Sequence, residues 1–312
     1  MAGKRPIGVG AVGVLPGEEE GLLAEMPVGP HFQLVAFSDE GLEGGAPEQR
    51  PVRYYSDYNM VLQDPSVELV LVGGPLELRR DFAVRALNAG RHAALSAPFC
   101  ETALGAERVM KTAFHAGLVA TMDMKWRDDP DLRGLRLAMG AENIGPVQGA
   151  QLFWRPPERE DPPAEGLLAR EGFALLDQLN IVIREDVRDV TTHLLAPGPN
   201  RPDEGFLLYL SLRNGGWGLA EAAPNQVEAL PRWTLHTASA TFCAREGVVL
   251  VSAGDQRRTY RAPSAPESFW DNLYSAVRGD AELKCHPLEI VRAMKLHEAA
   301  LESAETGLPV TI

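Results

Sequence analysis

A chain of 312 residues is longer than a single hydrophobic core usually supports, so we predict two domains. A hydrophobic share of 45% is typical of a globular protein, and a net charge of −13 disfavours nucleic acid and membranes as partners. The chain has no long apolar run and begins without the apolar segment of a signal peptide, so we expect a cytoplasmic protein. The three cysteines are widely separated and indicate neither a disulfide framework nor a metal site.

Five short apolar runs, separated by helical segments, occupy the N-terminal part of the chain. They cover residues 7–14, 32–37, 67–72, 92–95 and 118–122. Runs of this kind are typical of strands buried on both faces of a parallel sheet. Helical spacing predicts one helix that stops at Gly90 and another that begins at Thr102 and stops at Gly117. This order predicts an α/β fold with a doubly wound parallel sheet, whose ligands bind at the carboxyl ends of the strands.

A glycine-rich turn follows the first predicted strand. Gly8, Gly10 and Gly13 match the pattern G-x-G-x-x-G, which lets a pyrophosphate approach the backbone at a helix N-terminus. Asp39 closes the second strand, where an acid accepts hydrogen bonds from a ribose and repels a 2′-phosphate. This favours NAD over NADP. Pro16 departs from the pattern because proline is tolerated only in a helix's first turn.

The C-terminal part shows strand signals in succession with few helices, which predicts a mostly antiparallel open sheet with helices on one face. Strands are expected at 147–154 and 206–221, the latter with a turn at 214–216, and as three short strands within 232–262; helices are expected at 172–186 and 287–305; the proline-rich segment 155–168 is expected to be a loop.

Six segments, in this order and spacing, resemble the Gfo/Idh/MocA family, the relatives of glucose–fructose oxidoreductase and inositol dehydrogenase. They are residues 34–39, 57–68, 86–92, 126–130, 143–147 and 303–307, which resemble the family's "elvavcD", "dyeelLadpdvD", "AleaGKH", "yRfxP", "GxiGxv" and "SaetG". The resemblance implies a Rossmann domain, residues 1–125, and a substrate and oligomerisation domain, residues 126–312. The last helix, residues 287–305, could instead pack back on the first domain.

The same resemblance gives the glycine turn a second possible register. Aligned to the family's "vGiiGaGxxG", Gly8 would lie inside the strand, the paired glycines would fall on Ala11 and Gly13, and the third would fall on Pro16. Gly13 belongs to both registers, and both stay open.

The resemblance fails at the family's catalytic groups. Its lysine lies in an E-K-P triplet, which reads Ser96-Ala97-Pro98 here, and its D-x-G-x-H motif reads Asp177-Gln178-Leu179-Asn180-Ile181. Arg79 stands where the family has a further histidine. Alanine and isoleucine transfer no proton. Catalysis by the family's usual route is therefore expected to be altered or lost.

Two residues are candidate replacements. Lys125 precedes Arg127 by two on a predicted strand, so both would project to one face. Asp177 is a candidate residual acid or base. The alternatives are an exposed lysine and a hydrogen-bonding aspartate. The predicted cofactor-binding residues are Gly8, Gly10, Gly13, Asp39, Gly74, Pro75, Ala97, Pro98 and Arg127.

The sequence therefore predicts an NAD(P)-dependent oxidoreductase that acts on a sugar, polyol or related small molecule, with altered or lost catalysis. NAD is the expected cofactor and no metal is expected. The resemblance also implies a homodimer or homotetramer formed through the C-terminal sheet. The alternative is a non-catalytic nucleotide- or ligand-binding regulatory protein that keeps the dehydrogenase fold.

Overall fold

The computed structural model forms two compact units. Unit 1 comprises Met1–Met124 and Glu267–Met294, and unit 2 comprises Lys125–Pro266 and Lys295–Ile312. The described residues are 5–14, 22–27, 29–40, 52–142, 144–155, 165–196, 198, 201–224, 230–264 and 267–312. The first change of unit lies one residue from the boundary expected at 125. The expectation that the whole chain after 126 forms the second domain is wrong, because residues 267–294 return to unit 1.

Unit 1 contains a six-stranded parallel sheet with the strand order β3-β2-β1-β4-β5-β6. Its strands are β1 (Ile7–Val12), β2 (Phe32–Ser38), β3 (Arg53–Tyr55), β4 (Leu69–Val72), β5 (His92–Leu95) and β6 (Ala120–Met122). Every neighbouring pair is parallel, which confirms the predicted doubly wound sheet. Every residue of β1 and β4 is buried, as expected for strands covered on both faces.

The helices of unit 1 follow its strands. They are α1 (Tyr58–Gln63), α2 (Leu76–Asn88), α3 (Ala103–Ala116) and α6 (Phe269–Val277). The Thr102 side chain caps α3 by accepting a hydrogen bond from the Gly105 amide, and Gly117 ends α3 in the left-handed conformation, as the sequence predicts. Trp270 and Leu273 of α6 are buried in the same core as β1, which explains why this late segment belongs to unit 1.

Unit 2 contains a nine-stranded sheet with the order β14-β13-β12-β11-β7-β10-β9-β8-β15. Its strands are β7 (Val147–Trp154), β8 (Val187–Leu195), β9 (Gly205–Leu212), β10 (Trp217–Ala222), β11 (Trp233–Thr237), β12 (Thr241–Arg245), β13 (Val248–Ala253), β14 (Gln256–Arg261) and β15 (Val310–Thr311). Only the β7–β10 pair is parallel, so the mostly antiparallel sheet is confirmed. The region 232–262 holds four strands rather than three.

Three helices contribute to unit 2: α4 (Pro130–Ala141), α5 (Leu167–Ile183) and α7 (Pro287–Thr306). The residues of α7 up to Met294 belong to unit 1. Helix α5 begins at Leu167, inside the segment expected to be a loop. Leu176 and Leu179 of α5 share one core with Leu208 and Leu210 of β9. No helix among the described residues is long and apolar enough to cross a membrane. Those residues also contain no group of His, Cys, Asp or Glu able to hold a metal ion.

Candidate cofactor edge and catalytic residues

Two glycines meet where β1 and β4 end, an edge of unit 1 that we call the carboxyl edge. Gly13 has φ +65° and Gly74 has φ +72°, conformations that side chains rarely adopt. A β-carbon on Gly13 would lie 2.6 Å from the Gly73 carbonyl oxygen, and one on Gly74 would lie 3.0 Å from Gly13 Cα. Both loops therefore need bare backbone, because they pack directly against each other at these two positions.

Gly8 and Gly10 lie inside β1 rather than in the turn after it. A β-carbon on Gly8 would collide with the Ser66 carbonyl oxygen, and one on Gly10 would lie 2.7 Å from Val61 Cγ1. Both glycines thus have a packing reason for lacking a side chain. This placement agrees with the register that puts Gly8 in the strand and Gly13 in the turn. Pro16 lies outside the described residues.

Asp39 lies directly after β2, at the carboxyl edge, and is half-buried. The Tyr54 hydroxyl lies 3.0 Å from both carboxylate oxygens of Asp39 and donates to them. Tyr54 belongs to the neighbouring strand β3, so the pairing of β2 with β3 fixes the direction of the carboxylate. Each carboxylate oxygen can accept further hydrogen bonds. The sequence pattern identified Asp39 but did not identify Tyr54.

Arg79, in the first turn of α2, ties together the two loops that follow β4 and β5. Its Nε donates to the Gly74 carbonyl at 3.0 Å, and its Nη1 donates to the carbonyls of Ser96 at 3.3 Å and Pro98 at 2.6 Å. Burial lowers the pKa of Arg79, although an arginine remains charged at neutral pH. Sequence comparison noted Arg79 only as a lost histidine, and these three contacts give it a structural role.

The loop after β5 holds the triplet in which the family carries its lysine. The Ser96 amide donates to the Val72 carbonyl at 2.9 Å, and the Ala97–Pro98 peptide bond is cis. Ala97 is exposed. Its methyl group can neither donate a hydrogen bond nor transfer a proton. This loop therefore offers backbone hydrogen-bonding groups to a ligand but no side-chain acid.

Asp177 is fully buried in unit 2, and both of its carboxylate oxygens are engaged. Arg127 donates from Nε to Oδ2 at 2.8 Å and from Nη2 to Oδ1 at 2.6 Å, and Trp126 Nε1 donates to Oδ2 at 2.7 Å. The Trp126 ring packs edge-on against Phe173, and Phe173 in turn packs against His297. We call these five residues the Asp177 cluster. A bidentate, buried carboxylate of this kind is a strong ion pair rather than a free base.

Lys125 and Arg127 do not share a strand face. Lys125–Asp128 form a 3-10 helix, so the predicted strand is wrong. The helix has about three residues per turn, and side chains two apart therefore point to different sides. Lys125 is exposed, whereas the Arg127 side chain is only 15% exposed and turns to Asp177. The sequence signal that could have revealed this turn is Pro130 after the acidic pair Asp128–Asp129, because Asp129 caps α4.

Residues 7–124 match the family model described as an oxidoreductase family with an NAD-binding Rossmann fold. The N-terminal part of the chain is thus similar to the Gfo/Idh/MocA oxidoreductase family, and the match ends at residue 124. The Escherichia coli (strain K12) protein named "Uncharacterized oxidoreductase YhhX" is 28% identical to it over 142 residues. That match covers 44% of this chain and 41% of the relative, so it spans less than half of either protein.

Solved structures share the fold of this chain over almost its whole length. An NAD-binding protein from Listeria innocua has a TM-score of 0.78 at 21% identity, covering 98% of this chain and 97% of that one. An oxidoreductase from Bacillus cereus has a TM-score of 0.78 at 15% identity, covering 98% of each chain. At these identities the likeness establishes the fold alone.

The match of residues 7–124 to an NAD-binding Rossmann fold supports a nicotinamide nucleotide as the cofactor and does not distinguish NAD from NADP. The structure brings Gly13, Asp39, Gly74 and the loop of Pro98 to the carboxyl edge of unit 1. It places Arg127 and Asp177 in unit 2, bound to each other. Their roles toward a cofactor or a substrate stay predictions.

Proposed function

We propose that this protein binds NAD(H) at the carboxyl edge of unit 1 and is an oxidoreductase-family protein whose hydride transfer is altered or lost. Its ligand is a sugar, a polyol or a related small molecule. The observation that carries the proposal is the contrast between the glycine turns at the carboxyl edge, which are kept, and the Asp177 carboxylate, which is already paired. Gly13 and Gly74 keep bare backbone, whereas Asp177 has both oxygens engaged.

The residues of the carboxyl edge fit a nicotinamide dinucleotide. Side chains at Gly13 or Gly74 would collide with the facing loop, and the bare backbone of this pair of turns is the surface that a pyrophosphate would approach. Asp39 would accept hydrogen bonds from the adenosine ribose, with Tyr54 holding the carboxylate in place. A bound nicotinamide ring would supply hydride chemistry. Pro75 and Pro98 keep the two loops in fixed conformations.

The proton-transfer groups of the family are the part of the reaction that this chain has replaced. General acid–base groups contribute about 10²–10⁴-fold each. Ala97 provides no such group, and Asp177 would have to break an ion pair with Arg127 to accept a proton. Lys125 is exposed and is the ammonium that we propose as the candidate proton donor, if turnover occurs.

A second candidate function is a non-catalytic nucleotide-binding regulatory protein with the same fold. The observation that favours it is the complete engagement of Asp177 by Arg127 and Trp126. Such a protein would bind NAD(H) and respond to it without oxidising a substrate. Nucleotide affinity does not separate the two candidates, whereas turnover does.

The test has two stages. Isothermal titration calorimetry with NADH and NADPH measures whether a nucleotide binds and which is preferred. Stopped-flow absorbance of the nicotinamide then measures reduction or oxidation with a panel of sugars and polyols. Absence of binding by both nucleotides contradicts the proposal. Binding with turnover that depends on Lys125 favours the altered enzyme, and binding without turnover favours the regulatory protein.

We further propose a homodimer or homotetramer formed through the nine-stranded sheet. Along β9 and β13, buried residues alternate with outward-facing ones, and Tyr209 and Leu250 are 40% and 54% exposed on the outward-facing side. Four strands separate β9 from β13, so these exposed apolar side chains are spread across the sheet, and a sheet face that carries them is a candidate interface. Leu250→Glu combined with Tyr209→Glu should yield monomers in light scattering. Leu104→Glu in unit 1 is the matched control, and assembly that persists in the double variant contradicts the proposal.

A further inference from the structure

Arg79 is a partly buried cation whose only protein partners are carbonyl oxygens. Its Nε and Nη1 bind Gly74, Ser96 and Pro98, and its Nη2 donates to no protein atom in the described part of the chain. Over the same described residues, no carboxylate lies within ion-pair distance of Arg79. Carbonyls satisfy hydrogen bonds without neutralising the charge, and the exposed Glu77 carboxylate in the same helix turn acts on Arg79 only through space, so part of the desolvation cost is left.

Other partly buried arginines of unit 1 are compensated. Arg85 pairs with Glu40 at 2.8 Å, and Arg278 pairs with Glu68 at 2.9 Å. Arg91 also binds only carbonyls, but one of them is the Leu62 carbonyl in the last turn of α1, where the helix dipole is negative. Arg79 has the opposite setting, because it lies in the first turn of α2, where the dipole is positive. Its environment therefore favours a negative partner.

The position of Arg79 gives that partner a place. Its three carbonyl contacts lie in the loops that follow β4 and β5, both at the carboxyl edge. Residues 73–75 and 96–98 contain no cation of their own. The guanidinium is therefore the positive charge that is fixed to both loops, and its rigid fork suits carboxylate and phosphate oxygens.

We propose that Arg79 anchors an anionic group of the ligand at the carboxyl edge, through Nη2. The anion is a carboxylate or phosphate oxygen, supplied either by the nucleotide or by an acidic second ligand such as a sugar acid. The nucleotide source rests on the proposed function, and the acidic-ligand source does not. Arg79 is thereby a specificity-determining residue as well as the link between the two loops.

The decisive experiment follows the Nε–H signal of Arg79 by ¹⁵N NMR, since its hydrogen bond to Gly74 slows exchange with water. Sodium acetate and the neutral isostere acetamide are the matched probes, with inorganic phosphate as a second anion. We expect a saturable shift with acetate or phosphate and none with acetamide. Arg79→Gln identifies the signal, and Arg80→Gln, at the exposed neighbouring position, should leave the response unchanged. An Arg79 signal that ignores both anions, or that shifts equally with acetamide, overturns the proposal.

Titration of NADH into the wild type, Arg79→Gln and Arg79→Lys identifies the source of the anion. A loss of about tenfold or more in Arg79→Gln that Arg79→Lys largely restores indicates the nucleotide phosphate. Unchanged NADH affinity with a lost acetate response indicates a carboxylate of the second ligand. If the wild type binds no NADH, the proposed function fails, and the acetate response still decides the role of Arg79. Thermal unfolding checks the fold of each variant, and if Arg79→Gln does not fold, Arg79→Lys identifies the signal instead.

Discussion

The carboxyl edge of unit 1 and the Asp177 cluster of unit 2 handle polar groups in opposite ways. At the edge, Asp39 has the Tyr54 hydroxyl as its donor and can accept further hydrogen bonds, and Arg79 Nη2 has no protein acceptor in the described part of the chain. In the cluster, Asp177 is fully buried, and Arg127 and Trp126 occupy both carboxylate oxygens. The difference supports the proposal that this protein keeps the backbone that binds a nucleotide but lacks the family's groups for proton transfer.

The largest expected effect comes from restoring the two missing family groups. Ala97→Lys with Ile181→His should raise hydride transfer by about 10²-fold or more over the wild type, because each acid–base group contributes about 10²–10⁴-fold. The two groups act in one reaction, so the double variant should exceed the product of the single ones. Stopped-flow absorbance of the nicotinamide measures the rates. A folded, NADH-binding double variant without turnover would count against a vestigial dehydrogenase site.

Removing the buried acid tests whether the cluster is structural. Asp177→Ala should lower the free energy of unfolding by about 3–5 kcal/mol, because it leaves the Arg127 guanidinium buried without its partner. Urea unfolding followed by fluorescence measures the change. Glu107→Gln removes an exposed pair with Lys111, which is 72% exposed, and should cost about 1 kcal/mol or less. Pairing Asp177→Ala with Arg127→Met should recover much of the loss; an unaltered stability in Asp177→Ala would show that the ion pair is dispensable.

His297 should make the stability of the Asp177 cluster depend on pH. Burial lowers the pKa of His297 from 6.5 to about 4, so the unfolded chain binds more protons than the folded chain between these values. Stability should therefore be highest above pH 6.5 and fall by about 3 kcal/mol as the pH approaches 4. Chemical unfolding at a series of pH values measures the slope.

His297→Gln should flatten this part of the profile, whereas His286→Gln, at an exposed position in unit 1, should preserve it. An equal slope in wild type and His297→Gln assigns the pH dependence to other groups.

The smallest expected effect sharpens the description of the carboxyl edge. Asp39→Ala should weaken NADH binding by about 1–3 kcal/mol, since the ribose hydroxyls lose a charged acceptor. The same change should narrow the preference for NADH over NADPH, because the acid no longer repels a 2′-phosphate. Calorimetry with both nucleotides measures the two effects. Asp81→Ala removes another acid of unit 1, one that is 60% exposed, and should change neither affinity; equal losses in the two variants would point to a general charge effect.

The elements that the sequence predicted well are those specified by local chemistry. Helix α3 begins at its Thr102 cap and ends at Gly117 because side-chain capping and left-handed glycine act within a few residues. The buried strands of unit 1 appear as apolar runs for a similarly local reason. The strand expected at Lys125 was wrong. The apolar run of residues 118–122 ends before it, and Lys125–Asp128 form a 3-10 helix.

The features that the sequence did not predict depend on contacts between residues that are far apart in the chain. The return of residues 267–294 to unit 1 depends on Trp270 and Leu273 packing beside β1, a contact that no local pattern reveals. The assignment of Gly8 to the strand depends on the Ser66 carbonyl, which β4 brings beside it. The role of Asp177 likewise depends on Arg127, fifty positions away in the chain.

The sequence by itself determined the parallel and antiparallel halves, the resemblance to the Gfo/Idh/MocA family, the position of Asp39 and the absence of the lysine and histidine that this family uses. These are statements about residue identity and short-range periodicity, which a linear chain records directly. Only the tertiary structure decided that Asp177 forms an ion pair with Arg127 and that Arg79 bridges two loops through their carbonyl oxygens. Whether a charged side chain is already paired depends on its neighbours in space, and the packing of the chain determines those neighbours.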